Sequence, residues 1–322
     1  MINNNFYIKK NKPNLIVHVD VDSPIKLMNF YRINNVKFEK KELELFYETS
    51  WDRALVFFEK HNIKATFFVV GDEIESSVAI QNVILKAFKA GHEIENHTYS
   101  HPFGLASLSE DKIINEIIKC NKIIEKVTGC IPVGFRSPGY SINPKIINLL
   151  EKNGFEYDSS GFWSIMNPLL KISHRFIFKN GLKNEGFGNI TRKLPQKPYK
   201  PVKNNLLLKS NNNRKIWELP LPRTVILGLP FYNNFNLWIP FFFSNYFSSY
   251  IRKPYIVYLF HIIEFMDLKD NLPKELKLHP NLKTPLDIKL RRSDIIINNL
   301  CKHYELIKTR EFMQKLNNES IS

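Results

Sequence analysis

The residues best suited to chemistry in this chain are two histidines and two aspartates. His97 and His101 are four residues apart, so both imidazoles can lie on one face of a helical turn. Asp20 and Asp22 are separated by one residue, so both carboxylates point to the same face of a strand. Imidazole and carboxylate ligands suit a borderline divalent ion, which predicts a zinc site, with cobalt, nickel, manganese or iron as alternatives.

Alternating strand and helix patterns along the chain would position these four side chains. Apolar, β-branched or turn-bounded runs predict strands at 15–21, 65–70, 92–96, 133–136, 155–158, 215–220 and 255–260. Helical spacing of apolar residues predicts helices at 41–61, 78–90, 109–127, 144–153 and 286–304. Repeated β-then-α order indicates an α/β fold with a parallel sheet, as a barrel or a doubly wound sheet. The candidate residues follow strands, where such folds place their sites.

The length and composition favour one folded unit. The 322 residues are 43% hydrophobic and 13% aromatic, which is ample for a core. We predict a single domain over 1–322, with core motifs at 15–160 and 215–265. The segment 173–214 is rich in Lys, Asn, Pro and Gly and predicts a loop-rich insertion with one hairpin at most, and 313–322 predicts a flexible tail.

The charge of the chain points to anionic partners. The formal net charge is +15, which suits a phosphorylated glycan, a lipid-phosphate carrier, a membrane surface or nucleic acid. A coding bias toward Lys, Asn and Ile explains the same composition. The lysines are dispersed rather than clustered with stacking aromatics, so we expect no nucleic-acid partner. The aromatic run 241–243 is interpreted as buried core or loop, with a cleft lining or a bilayer contact as alternatives.

The amino-terminal segment bears on the location of the protein. Residues 1–12 are polar and contain no apolar run, so we expect no secretory signal. Three cysteines without a CxxC pair suit a reducing compartment, and Cys120 is expected to be a core residue. The expected location is therefore cytoplasmic, or peripheral at the inner face of the membrane.

Several segments resemble the polysaccharide deacetylases, the NodB-type enzymes of carbohydrate esterase family four. In the order of that family they are DVD at 20–22, ATFFVVG at 65–71, GHEIENHTYSHP at 91–102, GFRSPGY at 134–140, YDSS at 157–160 and YLFH at 258–261. The commonest first motif of the family has adjacent aspartates followed by Gly, whereas Val21 intervenes here. This version resembles a subgroup that includes lipid-linked sugar deformylases and amide hydrolases acting on small rings.

The resemblance implies a distorted (β/α) barrel of the NodB type and a metal-dependent hydrolase. Such an enzyme removes an N-acyl group, acetyl or formyl, from an amino sugar in a glycan or a lipid-linked glycan intermediate. The expected partner is therefore a carbohydrate substrate bearing an N-acyl amino sugar. Two alternatives stay open: an allantoinase-like amidase on a small cyclic amide, and a catalytically inactive carbohydrate-binding protein.

The resemblance also assigns roles to the chemistry-bearing residues. It implies three metal ligands, namely Asp22, His97 and His101. Asp20 corresponds to the general base that takes a proton from water, and His261 to the general acid that protonates the leaving amine. His279 is a second candidate for the acid, although His261 has the expected context at the end of an apolar strand.

Further residues are expected to support or contact the substrate. By resemblance, Arg136 would pair with Asp20 and orient it, and a backbone N–H near Tyr140 would complete an oxyanion hole. The predicted substrate contacts are Tyr140, Pro138, Trp163 and Glu218. Trp163 is expected either to stack on a sugar or to pack in the core, and Glu218 to hold Arg136 or substrate or to form a surface ion pair. The remaining histidines are interpreted as structural or solvated: His18, His61, His92, His174 and His303.

Overall fold

A curled parallel sheet forms the centre of the structure, a computed structural model that describes residues 12–30, 38–165, 194–210, 214–224, 228–270, 272, 275–276 and 279–320. Its strands are β1 (Asn14–Asp20), β2 (Thr66–Val69), β3 (Glu93–Asn96), β4 (Gly134–Phe135), β5 (Tyr157–Asp158), β8 (Trp217–Glu218), β9 (Tyr255–His261) and β10 (Glu305–Leu306). A separate antiparallel hairpin consists of β6 (Pro201–Val202) and β7 (Asn205–Lys209).

The strand order brings the candidate residues to one edge of the sheet. Parallel neighbours run β9-β1-β2-β3-β4-β5-β8, and β10 lies beside the start of β1. Asp20, the last residue of β1, is in register with Phe68 of β2 and with His261, the last residue of β9. His97 and Arg136 directly follow β3 and β4. The carboxyl ends of these strands therefore carry Asp20, His261 and their neighbours at one level.

Helices cover the outside of the sheet. They are α1 (Pro24–Phe30), α2 (Lys40–Lys60), α3 (Gly71–Ser76), α4 (Val78–Lys89), α5 (Glu110–Thr128), α6 (Pro144–Lys152), α7 (Asn233–Trp238), α8 (Phe241–Tyr250), α9 (Pro280–Lys283), α10 (Leu286–His303) and α11 (Thr309–Glu319). Three short 3-10 turns lie at Leu105–Ser107, Pro138–Tyr140 and Ile262–Phe265. α5 shows why they form: Ile113, Ile117, Cys120 and Ile124 are buried at helical spacing, and Gly129 ends the helix at a φ of 73°.

The core lies between the helices and the sheet and extends along the strands. Trp51 of α2 is fully buried and stacks on Phe67 of β2 with ring centroids 4.3 Å apart. β1 is buried at every position after Asn14, as expected of a strand covered on both faces. This packing gives the sheet edge a rigid base from which polar side chains project.

The predicted alternation of strands and helices is confirmed, and two local expectations are wrong. A flexible tail was expected at 313–322, but α11 occupies most of it and buries Phe312 and Met313 against the sheet. The aromatic run 241–243 is not core, because Phe242 is 72% exposed. The hairpin expected within 173–214 is β6–β7, whereas 173–193 and 211–213 lie outside the described residues. None of the described helices has the length and apolar character needed to span a membrane.

Candidate active site

Three predicted metal ligands converge at the carboxyl ends of β1 and β3. Oδ1 of Asp22 lies 2.8 Å from Nε2 of His101 and 3.4 Å from Nε2 of His97. One potential ligand atom from each residue lies within 4.8 Å of the other two. Both imidazoles are buried, and Asp22 keeps 16% of its side chain exposed. The three groups are therefore close enough to share one ion, with an opening on the aspartate side.

The backbone reaches this arrangement by a route other than the expected helical turn. His97 to His101 forms a bent loop, in which Thr98 and His101 adopt positive φ values of 70° and 60°. The Asn96 side chain accepts a hydrogen bond from the Thr98 N–H at 2.7 Å, and the Thr98 hydroxyl accepts one from the His101 N–H. Non-glycine residues seldom adopt this conformation, and it is concentrated at functional sites.

The protonation states of the triad suit metal binding. Nδ1 of His97 lies 2.8 Å from the carbonyl oxygen of Arg136. Because a carbonyl oxygen only accepts, Nδ1 donates here, and Nε2 is the atom left to act as a ligand. Burial lowers the pKa of His101, which favours the neutral imidazole. Burial opposes ionisation of Asp22, but the neighbouring His101 and His97 hold its pKa well below the usual range. Two imidazole nitrogens and one carboxylate oxygen form a donor set that fits a zinc-like divalent ion.

Asp20 is held by a buried arginine. Nε of Arg136 lies 3.1 Å from Oδ1 of Asp20, and both side chains are almost completely buried. The guanidinium also donates to Nδ1 of His18 at 2.6 Å and to the Ser159 hydroxyl at 3.0 Å, and it covers the ring of Phe68 at 4.8 Å. This contact set allows the Arg136 side chain little freedom, so the carboxylate of Asp20 has a defined orientation.

His18 belongs to this arrangement, which the sequence analysis missed. Burial and the charge of Arg136 lower the pKa of His18 well below its usual value, so the ring is neutral and Nδ1 accepts from the guanidinium. Nε2 in turn lies 3.1 Å from the Thr309 hydroxyl. The signal was present in the sequence: His18 and Asp20 are two residues apart on one strand and therefore share a face.

The predicted acid, His261, lies between two carboxylates. Its Nε2 is 3.9 Å from Oδ2 of Asp20, and its Nδ1 is 3.4 Å from Oε1 of Glu264. Asn233 donates to the other oxygen of Glu264 at 2.6 Å and fixes its orientation. Burial alone would lower the pKa of His261, but Glu264 and the charge of Asp20 outweigh it and raise the pKa to about 9. His261 is therefore protonated at neutral pH, as an acid must be.

His279, the alternative acid, lies in the same region but has the opposite character. It is 5% exposed and precedes α9. Burial, with the charge of His261 as the next cause, lowers the pKa of His279 to about 3. A neutral imidazole at pH 7 has no acidic ring proton to give, so the structure favours His261 for this role.

A buried carboxyl pair supports the loop after β5. Burial raises the pKa of Glu218 well above its usual value, and that of Asp158 is also raised. Glu218 accepts from the Gly161 N–H at 2.8 Å, and Asp158 accepts from the hydroxyl and N–H of Ser160. Glu218 is 3% exposed, so the alternative of a surface ion pair is wrong. Its predicted contact with substrate stays a prediction.

The remaining predicted substrate residues lie in the segments that follow β4 and β5. Tyr140 is 6% exposed with a φ of 58°, and its ring centroid is 5.0 Å from that of Phe162. The Tyr140 N–H donates to the Ser137 carbonyl at 3.0 Å, so the expected oxyanion donor is engaged in the turn. Pro138 is buried in the same turn, and half-buried Trp163 packs under the guanidinium of Arg223 at 4.5 Å.

Comparison with known proteins finds relatives of the segment that carries part of this site. The family described as "Polysaccharide deacetylase" matches residues 37–157. Over 79 residues, 24% of this chain and 27% of the relative, the chain is 42% identical to the peptidoglycan-N-acetylglucosamine deacetylase of Bacillus cereus. Over 115 residues, 35% and 37% of the two chains, it is 32% identical to the peptidoglycan deacetylase of Helicobacter pylori. The chain thus spans about a third of the length of these curated relatives.

A solved structure extends the likeness of fold to almost the whole chain. A Mycobacterium smegmatis protein assigned to the polysaccharide deacetylases superposes with a TM-score of 0.60 and 17% identity, over 97% of this chain and 93% of that one. The predicted distorted (β/α) barrel is thereby confirmed. The matched segment 37–157 contains His97, His101 and Arg136. The resemblance seen in the sequence is confirmed for this segment, which matches the polysaccharide deacetylase family.

Proposed function

We propose that the protein is a metal-dependent hydrolase that removes an N-acyl group from an amino sugar. One observation carries the proposal: two aspartates and three histidines, the residues expected to act as base, acid and metal ligands, lie together at one sheet edge. Asp20 and His261 are in register on neighbouring strands, and Asp22 with its two histidines lies beside them. A carbohydrate-binding protein has no need for a paired base and protonated acid, so this arrangement favours an enzyme.

The relatives suggest the substrate class. The matched proteins of Bacillus cereus and Helicobacter pylori are named as deacetylases of peptidoglycan, the first acting on N-acetylglucosamine. We therefore take an N-acetylated glucosamine unit as the first substrate to test, with an N-formyl group and a lipid-linked sugar as the finer alternatives. The location at the inner face of the membrane stays a prediction.

The residues of the chain divide the reaction between them. Asp22, His97 and His101 would hold a divalent ion, which acts as a Lewis acid on water and on the acyl carbonyl. Asp20, oriented by Arg136, accepts the proton of the attacking water. Protonated His261 donates its proton to the amine nitrogen as the C–N bond breaks, because an unprotonated amine is a poor leaving group. Glu264 keeps His261 oriented and protonated for that step.

Metal content and acyl release measured on the same samples test this proposal. The wild-type chain is compared with Asp22→Ala and with Asp52→Ala, a control that removes an exposed aspartate of α2. Metal is quantified by mass spectrometry, and acetate and formate are measured after incubation with N-acetyl and N-formyl glucosamine oligomers. We expect stoichiometric metal and acyl release in wild type and Asp52→Ala, and loss of both in Asp22→Ala. Absence of metal from all three proteins under metal-replete conditions would contradict the mechanism.

A further inference from the structure

Helix α8 is amphipathic in the reverse sense. Its buried residues are serines, Ser244 and Ser248. Of its six aromatic residues, Phe247 packs against the core and the other five point outward, with exposed fractions between 40% and 72%: Phe241, Phe242, Phe243, Tyr246 and Tyr250. A helix on a protein surface normally turns its apolar stripe to the core and its polar residues to water. The outward aromatic face of α8 therefore requires an apolar partner outside the described core.

The inward polar face is held in place by specific contacts. Asn299 of α10 donates to the Ser248 hydroxyl at 3.1 Å, and Arg292 of α10 donates to the Ser244 hydroxyl at 3.4 Å. Arg292 also donates to the carbonyl oxygens of residues 236, 237 and 239, just before α8. These bonds fix the rotation of the helix about its own axis, and they thereby keep its aromatic face turned outward.

The aromatic face borders an apolar cavity of about 710 Å³. Phe242, Phe243 and Tyr246 line it from α8, and Leu229 and Ile239 line it from the segments before the helix. Large contiguous apolar surfaces are uncommon on soluble proteins and mark sites that contact a protein, a ligand or a membrane. We refer to this face of α8 together with the cavity as the aromatic patch.

The charge around the aromatic patch identifies its partner. No Asp or Glu occurs between Glu218 and Glu264, whereas Arg223, Arg252 and Lys253 lie in that interval. These three cations adjoin cavity-lining residues, since Thr224, Tyr250 and Ile251 belong to the lining. Among the described residues none of the three forms an ion pair with a carboxylate. The aromatic patch is thus flanked along the chain by cations and by no carboxylate, which complements an apolar surface that carries negative charge.

We infer that the aromatic patch docks this protein onto the surface of an anionic lipid bilayer. Phe, Tyr and Trp rings inserted at the level of the headgroups, with Arg and Lys beside them, are the features of interfacial membrane contacts. Trp238, three residues before α8 along the chain, is a further exposed aromatic residue at 47%. A second copy of the chain is a poorer occupant, because a symmetric contact brings two borders of like charge together.

The aromatic patch lies close to the candidate active site. The chain leaves the cavity wall at Leu229 and reaches Tyr232, whose ring centroid is 6.4 Å from that of His261. A protein docked through α8 would thus hold its candidate acid near the bilayer surface, where a membrane-attached sugar is presented. Membrane docking does not depend on the proposed activity, because binding is measured without turnover.

Co-sedimentation of the full chain with lipid vesicles tests this inference. Vesicles of phosphatidylcholine alone are compared with vesicles that contain about 30% phosphatidylglycerol, the anionic lipid. We expect wild type to bind the anionic vesicles, to bind the neutral ones about tenfold more weakly, and to be released as salt approaches about 0.5 M. The double variant Phe242→Ser/Phe243→Ser is expected to lose about tenfold in binding, because its insertion face is removed.

A matched control distinguishes binding through the aromatic patch from nonspecific binding through other exposed apolar residues. Leu45→Ser/Val56→Ser removes two apolar side chains of α2 that are 53% and 68% exposed, and should bind vesicles as wild type does. Circular dichroism confirms that both double variants are folded. Failure of wild type to bind anionic vesicles, or equal binding by Phe242→Ser/Phe243→Ser, overturns the inference. A dimer in light scattering that Phe242→Ser/Phe243→Ser abolishes also overturns it, since the occupant would then be a second copy.

Discussion

The Nδ1 atom of His261 lies 3.4 Å from Oε1 of Glu264, and the side chains of the two residues are 16% and 2% exposed. This contact is the strongest favourable influence on the imidazolium, whose pKa is raised to about 9 despite burial. A general acid works only when protonated, so activity should be present below pH 9 and lost as the pH rises through that value. Glu264→Gln removes the anion, destabilises the imidazolium and should move this alkaline limb down by about one to two pH units.

The profile of kcat/KM against pH measures that limb in the free enzyme. Glu48→Gln serves as the control, because Glu48 is an exposed residue of α2 far along the chain from His261. It should leave the alkaline limb in place. A limb that does not move in Glu264→Gln would show that Glu264 does not set the protonation of the acid.

The two candidate acids should separate clearly in substitution experiments. His261 is protonated at neutral pH and near Asp20, whereas the pKa of His279 is lowered to about 3. We expect His261→Gln to reduce kcat by about 10² to 10⁴, the usual contribution of a general acid. His279→Gln should reduce kcat by less than about tenfold. Bound metal, measured in both variants, should stay at the wild-type level, and a larger loss of kcat in His279→Gln would reverse the assignment.

Arg136 and Asp20 should be strongly coupled in stability. The two groups are 3.1 Å apart and almost completely buried, so removing one leaves an unpaired charge in the interior. Arg136→Met alone should cost about 3–5 kcal/mol in the free energy of unfolding. The double variant Arg136→Met/Asp20→Asn should lose less free energy of unfolding than the two single variants lose together. The difference should be about 1 kcal/mol or more. Urea unfolding of the four proteins gives this coupling energy.

An exposed ion pair provides the control for this double-mutant cycle. Lys86 and Asp52 are 2.7 Å apart, but both side chains are more than 60% exposed. Their coupling energy should stay below about 1 kcal/mol, as for surface pairs in general. If the buried pair couples no more strongly than this one, Arg136 does not hold Asp20 in the manner described.

The sequence predicted most of the sheet because its strands are short apolar runs that end in polar residues. β1 and β9 are buried along almost their whole length, and the residues that end them, Asp20 and His261, were expected at the site. Spacing predicted a metal site among the two aspartates and two histidines, and the family resemblance implied Asp22 with His97 and His101 as its ligands. A helical turn was expected between the histidines, where a loop forms. The positive φ values of Thr98 and His101 accompany hydrogen bonds within the folded loop, such as that from the Thr98 N–H. No local sequence pattern predicts them.

Other features depended on contacts between distant parts of the chain. Glu264 approaches His261 through a 3-10 turn, and His18 reaches Arg136 across 118 positions of the sequence. The outward aromatic face of α8 contradicts the usual rule that aromatic runs are buried, and the sequence analysis followed that rule. Hydrophobicity predicts which residues avoid water on average. It does not predict which helix will have its polar face held against the protein by hydrogen bonds.

Helix α11 shows most clearly how an element can depend on contacts with distant parts of the chain. The Thr309 hydroxyl is buried, 2.6 Å from that of Thr66 and 3.1 Å from Nε2 of His18, so the helix is tied to two strands and indirectly to Arg136. Thr309→Val keeps the shape but leaves both partners without this bond, which should cost about 1–3 kcal/mol in the free energy of unfolding. Thr49→Val, at a half-buried position of α2, should change it by less than about 1 kcal/mol. Equal effects of the two substitutions in urea unfolding would mean that α11 is attached by its apolar residues alone.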